Sequence, residues 1–274
     1  MRNDRNKVTP WQNHGELHVK QMKIAVSGKG GVGKTTLAAL LCLDLSNRGL
    51  QILAVDADPV ASLGAALGFP EPEKITPISE IKDLIAERTG ARPGSIGGYF
   101  KLNPRVEDIP ENFCREQNGI RLVVMGTVKA GGAGCICPES ALLRALLQHL
   151  ILERNEAAVI DMEAGVEHLG RATAGAVDRM LVVVEPGQRS LAAARMIRKL
   201  AGDIGLSRVG IVANKVRKES DLETIKTSLR EFELLGWLPL DPAVIEADLS
   251  GRPTSLDLPG FRDRVGSIVD KLGK

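Results

Sequence analysis

The sequence predicts a single α/β domain in which a mostly parallel sheet lies between two layers of helices. Short apolar runs alternate along the chain with stretches of helical periodicity, as expected for repeated strand–helix–strand units. Apolar residues make up 43% of the chain and aromatic residues only 3%, so the core must consist of Val, Ile, Leu and Ala, which is typical of parallel sheets covered by helices. The length of 274 residues fits one such domain.

The individual elements are predicted from these patterns in chain order. Strands are predicted at residues 23–27, 51–55, 121–125, 157–160, 180–184, 208–212 and 234–237. Helices are predicted at residues 34–48, 139–154, 189–204 and 221–232. The Pro- and Gly-rich region 70–118 is predicted to hold one helix, at residues 78–88, within a long surface excursion. Residues 1–21 are polar and aperiodic and are interpreted as a disordered N-terminal extension, which places the domain at residues 22–274.

Charge and cysteine content restrict the possible partners and the compartment. The 36 basic and 34 acidic residues leave a net charge of +2, which gives no general reason to expect a nucleic acid or an acidic membrane as partner. No apolar run approaches the roughly 18 residues of a membrane span, and no secretory segment is apparent. We therefore expect a location in the reducing cytoplasm, where a close cysteine pair favours a metal or redox site over a structural disulfide.

A glycine-rich motif follows the first predicted strand and precedes the first predicted helix. It has the form G-x-x-x-x-G-K-T, and its residues are Gly28, Lys29, Gly30, Gly31, Val32, Gly33, Lys34, Thr35 and Thr36. The glycines allow backbone N–H groups to converge on phosphate oxygens, and the helix adds the positive end of its dipole. Lys34 is predicted to contact the β- and γ-phosphates, and the Thr35 hydroxyl to ligate Mg²⁺. The motif predicts a three-layer α/β/α P-loop NTPase that binds ATP or ADP with Mg²⁺.

Acidic residues end two further predicted strands at the same edge of the sheet as this phosphate loop. Asp56 and Asp58 follow the second strand and are well placed to reach Mg²⁺ or the attacking water, although Asp56 is equally well explained as a loop cap. The apolar run 157–160 ends at Asp161, a Walker B pattern that predicts a carboxylate near Mg²⁺. Gly165 can bring its N–H close to the γ-phosphate, because it has no side chain.

The cysteines divide into a pair and two isolated residues. Cys135 and Cys137 immediately precede a predicted helix, whose positive end favours the thiolate form. Two thiolates are half of a tetrahedral or square-planar shell, and two chains related by a two-fold axis would supply four sulfurs for Zn²⁺ or Ni²⁺. Isolated buried or redox-active cysteines are the alternative. Cys42 is predicted to lie in the core, and Cys114 has no readable role.

Lys29 directly follows the first glycine of the loop, and K-G-G-V-G-K-T-T resembles the deviant Walker A family, which includes the nitrogenase iron protein, MinD and ParA. The resemblance implies that Lys29 reaches the phosphates bound by a partner subunit, so that a homodimer encloses ATP. It also implies that Asp58 orients the attacking water, that Asn214 recognises adenine and that the turn with Pro239 borders the base. The catalytic residues implied in this way are Lys29, Lys34, Asp58 and Asp161.

Further motifs resemble the CooC-like nickel-insertion ATPases. They are Cys-Pro-Glu at residues 137–139, the segment D-M-E-A-G-V-E-H-L-G at 161–170 and V-V-V-E-P at 182–186. The resemblance covers residues 22 to about 272 and implies an ATP-hydrolysing metallochaperone. Such a protein would dimerise with ATP, hold Ni²⁺ or Zn²⁺ between its Cys135 and Cys137 pairs, and load nickel into apo carbon monoxide dehydrogenase or a related nickel enzyme.

Two other functions within the wider family stay open. An iron–sulfur reductase like the nitrogenase iron protein needs a second cysteine about seven residues after the Walker B aspartate, where this chain has His168. A positioning ATPase like MinD or ParA binds membrane or DNA, and MinD relatives end in a basic amphipathic helix. Here the C-terminal apolar stripe has a mixed-charge polar face and is predicted to be a core helix rather than a membrane foot. Its apolar residues are Phe261, Val265, Ile268, Val269 and Leu272.

Overall fold

The computed structural model describes residues 21–92, 99–126, 138–148, 155–163, 177–255 and 257–273. These residues form an eight-stranded sheet with the strand order β3-β4-β2-β5-β1-β6-β7-β8. The strands are β1 (Met22–Gly28), β2 (Gln51–Ala57), β3 (Arg115–Gln117), β4 (Ile120–Val124), β5 (Glu156–Met162), β6 (Arg179–Val184), β7 (Val209–Val216) and β8 (Glu233–Pro239). Neighbouring strands are parallel except for the pair β3–β4.

The predicted strands are confirmed, and one strand was missed. Strand β3 consists of Arg115, Glu116 and Gln117, lies at the sheet edge and pairs antiparallel with β4. Three polar residues carry no apolar alternation, so periodicity cannot find such a strand. Strand β7 continues to Val216, beyond the predicted end at residue 212. The prediction ended early because a bulge near the end of the strand interrupts the apolar pattern.

The helices connect the strands and cover both faces of the sheet. They are α1 (Lys34–Asn47), α2 (Leu63–Leu67), α3 (Lys82–Thr89), α4 (Ile109–Asn112), α5 (Pro138–Gln148), α6 (Gln188–Asp203), α7 (Glu219–Ser228), α8 (Pro242–Leu249) and α9 (Phe261–Leu272). The helix predicted at 78–88 is divided into a 3₁₀ turn, Ile78–Glu80, and α3, because Ile81 has non-helical backbone angles. The predicted extension of α5 to residue 154 lies outside the described residues.

Two hydrophobic cores lie on opposite faces of the sheet, which confirms the three-layer arrangement. Alternate residues of β1 point to different cores, with Ile24 in the one and Ala25 in the other, and both are fully buried. Helices α1 and α9 pack on the first face, and α3, α5 and α6 supply residues to the second. Burial on both faces explains why the central strands are continuous apolar runs.

Helix α9 is a core helix, as predicted. The residues of its apolar stripe are all buried, namely Phe261, Val265, Ile268, Val269 and Leu272. Arg48, at the end of α1, binds this helix through the Asp270 carboxylate at 2.6 Å and the Gly266 carbonyl at 3.0 Å. Within the described ranges, none of the helices has the length and apolarity required to cross a bilayer.

Candidate active site

The phosphate loop lies at the carboxyl edge of the sheet and is held there by close backbone packing. Gly28 has φ +148°, and a Cβ atom on it would lie 2.5 Å from the Val183 carbonyl oxygen of β6. Gly33 has φ +95°, and its Cβ would overlap the Asn214 side-chain amide of β7. Both positions therefore require glycine, for conformational and for steric reasons.

Helix α1 begins directly after this loop with an N-terminus that suits an anion. Gly33 caps it without a side-chain hydrogen bond, and the first turn contains no acidic residue. The first N–H groups of a helix have no intrahelical partner, so they are available to phosphate oxygens, and the dipole favours negative charge there. Lys34 is the first residue of the helix and is largely buried beside this position.

Asp161 lies near the end of β5 and is fully buried, although its carboxylate lacks standard hydrogen bonds within the part of the chain that the structure describes. It is next to Val26 of β1 and Asp56 of β2 in the sheet register. Neither carboxylate oxygen has a hydrogen-bond partner of standard geometry among the described residues. Burial raises the pKa of Asp161 to about 7, although the neighbouring Thr35 hydroxyl and Lys34 ammonium favour its charged form.

This orphaned carboxylate makes the site fit a divalent cation. An unpaired buried carboxylate is costly unless it meets a positive charge, and hard oxygen donors are the ligands that Mg²⁺ prefers. The Thr35 hydroxyl lies close by, 3.3 Å from the Ser62 hydroxyl. Two of the residues predicted to lie near Mg²⁺, Thr35 and Asp161, are thus neighbours in the fold.

Asp56 has the opposite environment, because its carboxylate is used by the backbone of the following turn. Oδ2 accepts hydrogen bonds from the N–H groups of Ser62 at 2.9 Å and Leu63 at 2.8 Å, and Oδ1 accepts one from Asp58 at 3.3 Å. Burial raises its pKa to about 6 in spite of these bonds. Of the two interpretations of Asp56, the loop cap therefore describes its contacts.

Asp58 and Lys29 occupy more open positions at this edge. Asp58 is partly exposed, and its Oδ1 accepts a hydrogen bond from the N–H of the exposed Val60 at 2.9 Å. Lys29 is also partly exposed, and its carbonyl closes a loop turn by accepting a 3.4 Å hydrogen bond from Val32. Their predicted roles toward water and a partner subunit remain predictions.

Asn214 lies against the phosphate loop. Its Nδ2 donates to the Val32 carbonyl at 2.8 Å, and its Oδ1 accepts from the Lys215 N–H at 2.9 Å. Pro239 ends β8 and pairs with Val216, which is two residues after Asn214 in β7. Trp237, also in β8, stacks against the Arg264 guanidinium of α9, whose central carbon lies 3.4 Å from the ring centroid.

Two residues at this edge were not predicted as site residues. Lys215 donates from Nζ to the Gly31 carbonyl at 2.6 Å, and its ammonium lies 3.8 Å from the Glu185 carboxylate. Glu185 follows β6, and Lys215 follows Asn214. The sequence did show a lysine beside an asparagine at a strand end, which could have marked Lys215 as a site residue. Its contact with the phosphate loop is visible only in the folded chain.

The remaining predicted site residues fall outside the described ranges. These are Cys135, Cys137 and Gly165. Cys42 is buried in the core, as predicted, while Cys114 is partly buried and packs against the second core. In the described residues, no group of three or more potential ligands from His, Cys, Asp and Glu is assembled.

Fold and site together define a P-loop ATPase with its nucleotide site at the carboxyl edge of a parallel sheet. Residues 23–254 match the family described as the CobQ/CobB/MinD/ParA nucleotide binding domain, and the chain belongs to this family. The resemblance to CooC-like ATPases is also confirmed. The chain is 46% identical over 253 residues to the carbon monoxide dehydrogenase accessory protein CooC of Rhodospirillum rubrum, and the match covers 92% of this chain and 96% of that protein.

Other relatives agree with this assignment. An uncharacterized ATP-binding protein of Methanocaldococcus jannaschii is 47% identical over 239 residues, covering 86% of this chain and 92% of its own length. Among solved structures, the septum site-determining protein MinD of Pyrococcus horikoshii, complexed with Mg-ADP, superposes with a TM-score of 0.67. It is 19% identical and covers 93% of this chain and 96% of its own, so this likeness bears on the fold alone.

Proposed function

We propose that this ATPase is a metallochaperone that inserts nickel into carbon monoxide dehydrogenase or a related nickel enzyme. The observation that carries the proposal is the 46% identity to CooC along almost the whole length of both chains. The Cys135 and Cys137 pair, present in this sequence beside an intact phosphate loop, provides the chemistry for the metal.

The ATPase step uses residues that the fold brings to one edge. The N–H groups of residues 28–36 and the Lys34 ammonium bind the triphosphate. Thr35 would ligate Mg²⁺ and Asp161 would hold it through water, which removes the cost of its unpaired carboxylate. Mg²⁺ supplies charge neutralisation of the phosphates, and Asp58 orients the water that attacks the γ-phosphate.

Dimerisation completes both sites in this proposal. Lys29, on the open side of the loop, enters the nucleotide site of a second copy and stabilises the charge of the transition state, as an arginine finger does. The same two-fold contact brings together two Cys135 and Cys137 pairs around one metal ion. The reducing cytoplasm predicted for this protein would keep these thiols free for the metal.

In this proposal, departure of the γ-phosphate after hydrolysis leads to opening of the dimer and so to release of the metal. The segments after Asp58 and Asp161 follow strand ends at the nucleotide edge, where the presence of the γ-phosphate can change their contacts. Gly165, four residues after Asp161, is proposed to contact that phosphate through its N–H. Opening of the dimer then separates the two cysteine pairs and hands nickel to the apo-enzyme.

The burial of α9 bears on the positioning alternative. The C-terminal apolar stripe packs into the core against α1 and β8, so it is used by the fold itself. This removes the sequence feature that would have favoured a membrane-binding foot.

The proposal is tested by titrating the full-length protein with Ni²⁺ and Mg-ATP while dimer formation is followed by light scattering. We expect one nickel per dimer for the wild type and none for the Cys135→Ala/Cys137→Ala double variant, with ATP binding retained. The matched control is Cys114→Ala, which removes a partly buried cysteine outside the pair. Equal nickel stoichiometry in the wild type and the double variant would overturn the metallochaperone proposal.

A second measurement addresses delivery. Nickel-loaded protein is mixed with apo carbon monoxide dehydrogenase, and enzyme activity is followed with ATP or with a non-hydrolysable analogue. Activation that requires hydrolysis supports the proposal, whereas equal activation by free nickel and by nickel-loaded protein contradicts it.

A further inference from the structure

We infer that Lys215 is a positioning residue for ATP, which holds the phosphate loop in its binding conformation and is itself held by Glu185. This role belongs to the ATPase site and is independent of nickel transfer. It deepens the proposed ATPase mechanism by adding a loop clamp that sequence motifs do not reveal.

The first observation is an irregularity in β7. The pairing of this strand with β8 shifts register twice, first between Ile211 and Val212 and again between Ala213 and Val216, where Val216 pairs with Pro239. Asn214 and Lys215 lie inside this irregular stretch. In a regular strand two successive side chains point to opposite faces of the sheet. Here the bulge directs both to the same loop, as bulges beside active sites commonly do.

The second observation is that the two side chains take consecutive loop carbonyls. Asn214 Nδ2 donates to the carbonyl of Val32 at 2.8 Å, and Lys215 Nζ donates to the carbonyl of Gly31 at 2.6 Å. Because a trans peptide directs its C=O and its N–H to opposite sides, holding these carbonyls turns the N–H groups of Val32 and Gly33 away from β7, and the Val32 N–H closes the loop turn on the Lys29 carbonyl. Convergent N–H groups of this kind form the concave surface that binds phosphate.

The third observation is the backbone of Lys215 itself. Its φ is +56°, in the left-handed region that residues other than glycine, asparagine and aspartate seldom adopt. Such strain persists where the surrounding contacts over-determine the conformation, and it concentrates at functional sites. The ion pair with Glu185 at 3.8 Å supplies one of these contacts from the neighbouring strand end.

The clamp explains how a glycine-rich loop can be ordered before the nucleotide arrives. A loop with several glycines loses much conformational freedom on binding, which lowers affinity unless the loop is ordered in advance. Lys215 contributes a charge-assisted hydrogen bond to this ordering. Its removal therefore weakens binding of both ATP and ADP, while the chemical step, which uses other groups, changes less.

The test compares Lys215→Met with the wild type in ATPase kinetics and in calorimetric titration with Mg-ADP. We expect the KM for ATP and the Kd for ADP to rise about tenfold, as for the loss of roughly 1.4 kcal/mol of binding free energy, with kcat changed by less than about threefold. Lys215→Arg keeps the charge and the donor and should restore part of the affinity. The control is Lys218→Met, an exposed residue just before α7.

A double-mutant cycle tests the role of Glu185. Glu185→Gln should raise the KM for ATP in the wild type and leave it unchanged in the Lys215→Met background, because Glu185 acts through Lys215. An unchanged KM and Kd in Lys215→Met would overturn the inference, and so would fully additive effects in the double variant. Thermal unfolding of each variant without nucleotide shows whether the protein is still folded. A general folding defect would lower the unfolding temperature of Lys215→Arg as well as that of Lys215→Met.

Discussion

Asp56 and Asp161 are directly paired residues of the neighbouring parallel strands β2 and β5, yet their carboxylates have opposite surroundings. Asp56 accepts hydrogen bonds from three backbone N–H groups, whereas Asp161 has no partner of standard geometry in the described part of the chain. The Asp56 carboxylate thus holds the following turn, whereas the Asp161 carboxylate is proposed to hold a cation. Substitutions of Asp161 and of Asp56 separate these roles.

Asp161→Asn should abolish Mg-ATP hydrolysis and stabilise the free protein at alkaline pH. The pKa of Asp161 is raised from 3.8 to about 7, so its contribution to stability is fully present below pH 3.8 and is lost as the pH rises through 7. Each pKa unit corresponds to about 1.4 kcal/mol, and the variant should gain a few kcal/mol of unfolding free energy at pH 8. Urea unfolding without Mg²⁺ or nucleotide, at pH 5 and pH 8, measures the difference.

Asp221→Asn is the control of opposite sign. The Arg217 side chain holds the pKa of Asp221 below its ordinary value, so its contribution is present above pH 3.8 and is lost as the pH falls through the lowered pKa. This variant should lose stability at pH 8. If Asp161→Asn also loses stability there, the carboxylate is not an unpaired charge in the free protein.

Asp56→Ala should destabilise the protein at pH 5, below the raised pKa of Asp56 of about 6, without removing a magnesium ligand. The substitution leaves the N–H groups of Ser62 and Leu63 without their acceptor, and an unsatisfied buried donor costs about 1–3 kcal/mol. We expect urea unfolding at a lower midpoint and Mg²⁺-dependent ADP binding that persists below this midpoint. Loss of Mg²⁺ dependence in a folded Asp56→Ala protein would show that Asp56 takes part in binding the cation.

Gly33→Ala should weaken ADP binding by more than backbone strain alone would, because the new Cβ also collides with Asn214. The new Cβ would overlap the Asn214 amide and break its hydrogen bond to Val32, so we expect ADP binding to fall below detection by calorimetry. Gly49→Ala is the matched control, because Gly49 has φ +91° but no atom within 4 Å of the position that a Cβ would take. It should cost only about 1 kcal/mol of stability and leave binding intact. Equal effects of the two substitutions on ADP binding would contradict the close packing described for Gly33.

Arg48→Ala should destabilise the joint between α1 and α9 without affecting ATP kinetics. Arg48 binds Asp44 and Asp270 at 2.6 Å each and the Gly266 carbonyl at 3.0 Å. A largely buried arginine with three partners is expected to contribute about 1–3 kcal/mol, measured by urea unfolding. The exposed pair of Lys226 and Glu223 is the comparison, and Lys226→Ala should change stability by less than about 1 kcal/mol. An altered KM for ATP in Arg48→Ala would show that this joint reaches the nucleotide site.

Lys29→Ala should separate nucleotide binding from hydrolysis. If Lys29 acts in the site of a second copy, the variant binds ADP as a monomer but loses ATP-dependent dimerisation, and kcat falls by a factor of about 100 or more. Light scattering with Mg-ATP and steady-state kinetics measure these effects. Normal turnover by a strict monomer would rule out the shared site.

The central elements were predictable because their signals are local. The apolar runs of β1, β2 and β5 and the glycine-rich loop before α1 are read from neighbouring residues, and their positions agree with the structure. Helix α8 was missed, although Asp241 caps it and Pro242 begins it, because its apolar residues have no single buried face. The division of 78–88 at Ile81 was missed for a related reason, since a 3₁₀ turn and an α-helix share similar apolar spacing.

The sequence alone determined the family, the phosphate loop and the central strands with the longer helices between them, since each depends on residues close together in the chain. Only the tertiary structure decided which carboxylate is paired, where β7 bulges and how the loop is held. Asn214 and Val32 meet across 182 residues of sequence, and Lys215 and Gly31 across 184. Burial and hydrogen-bond partners of this kind arise when distant strand ends meet at one edge of the sheet, and no local pattern encodes them.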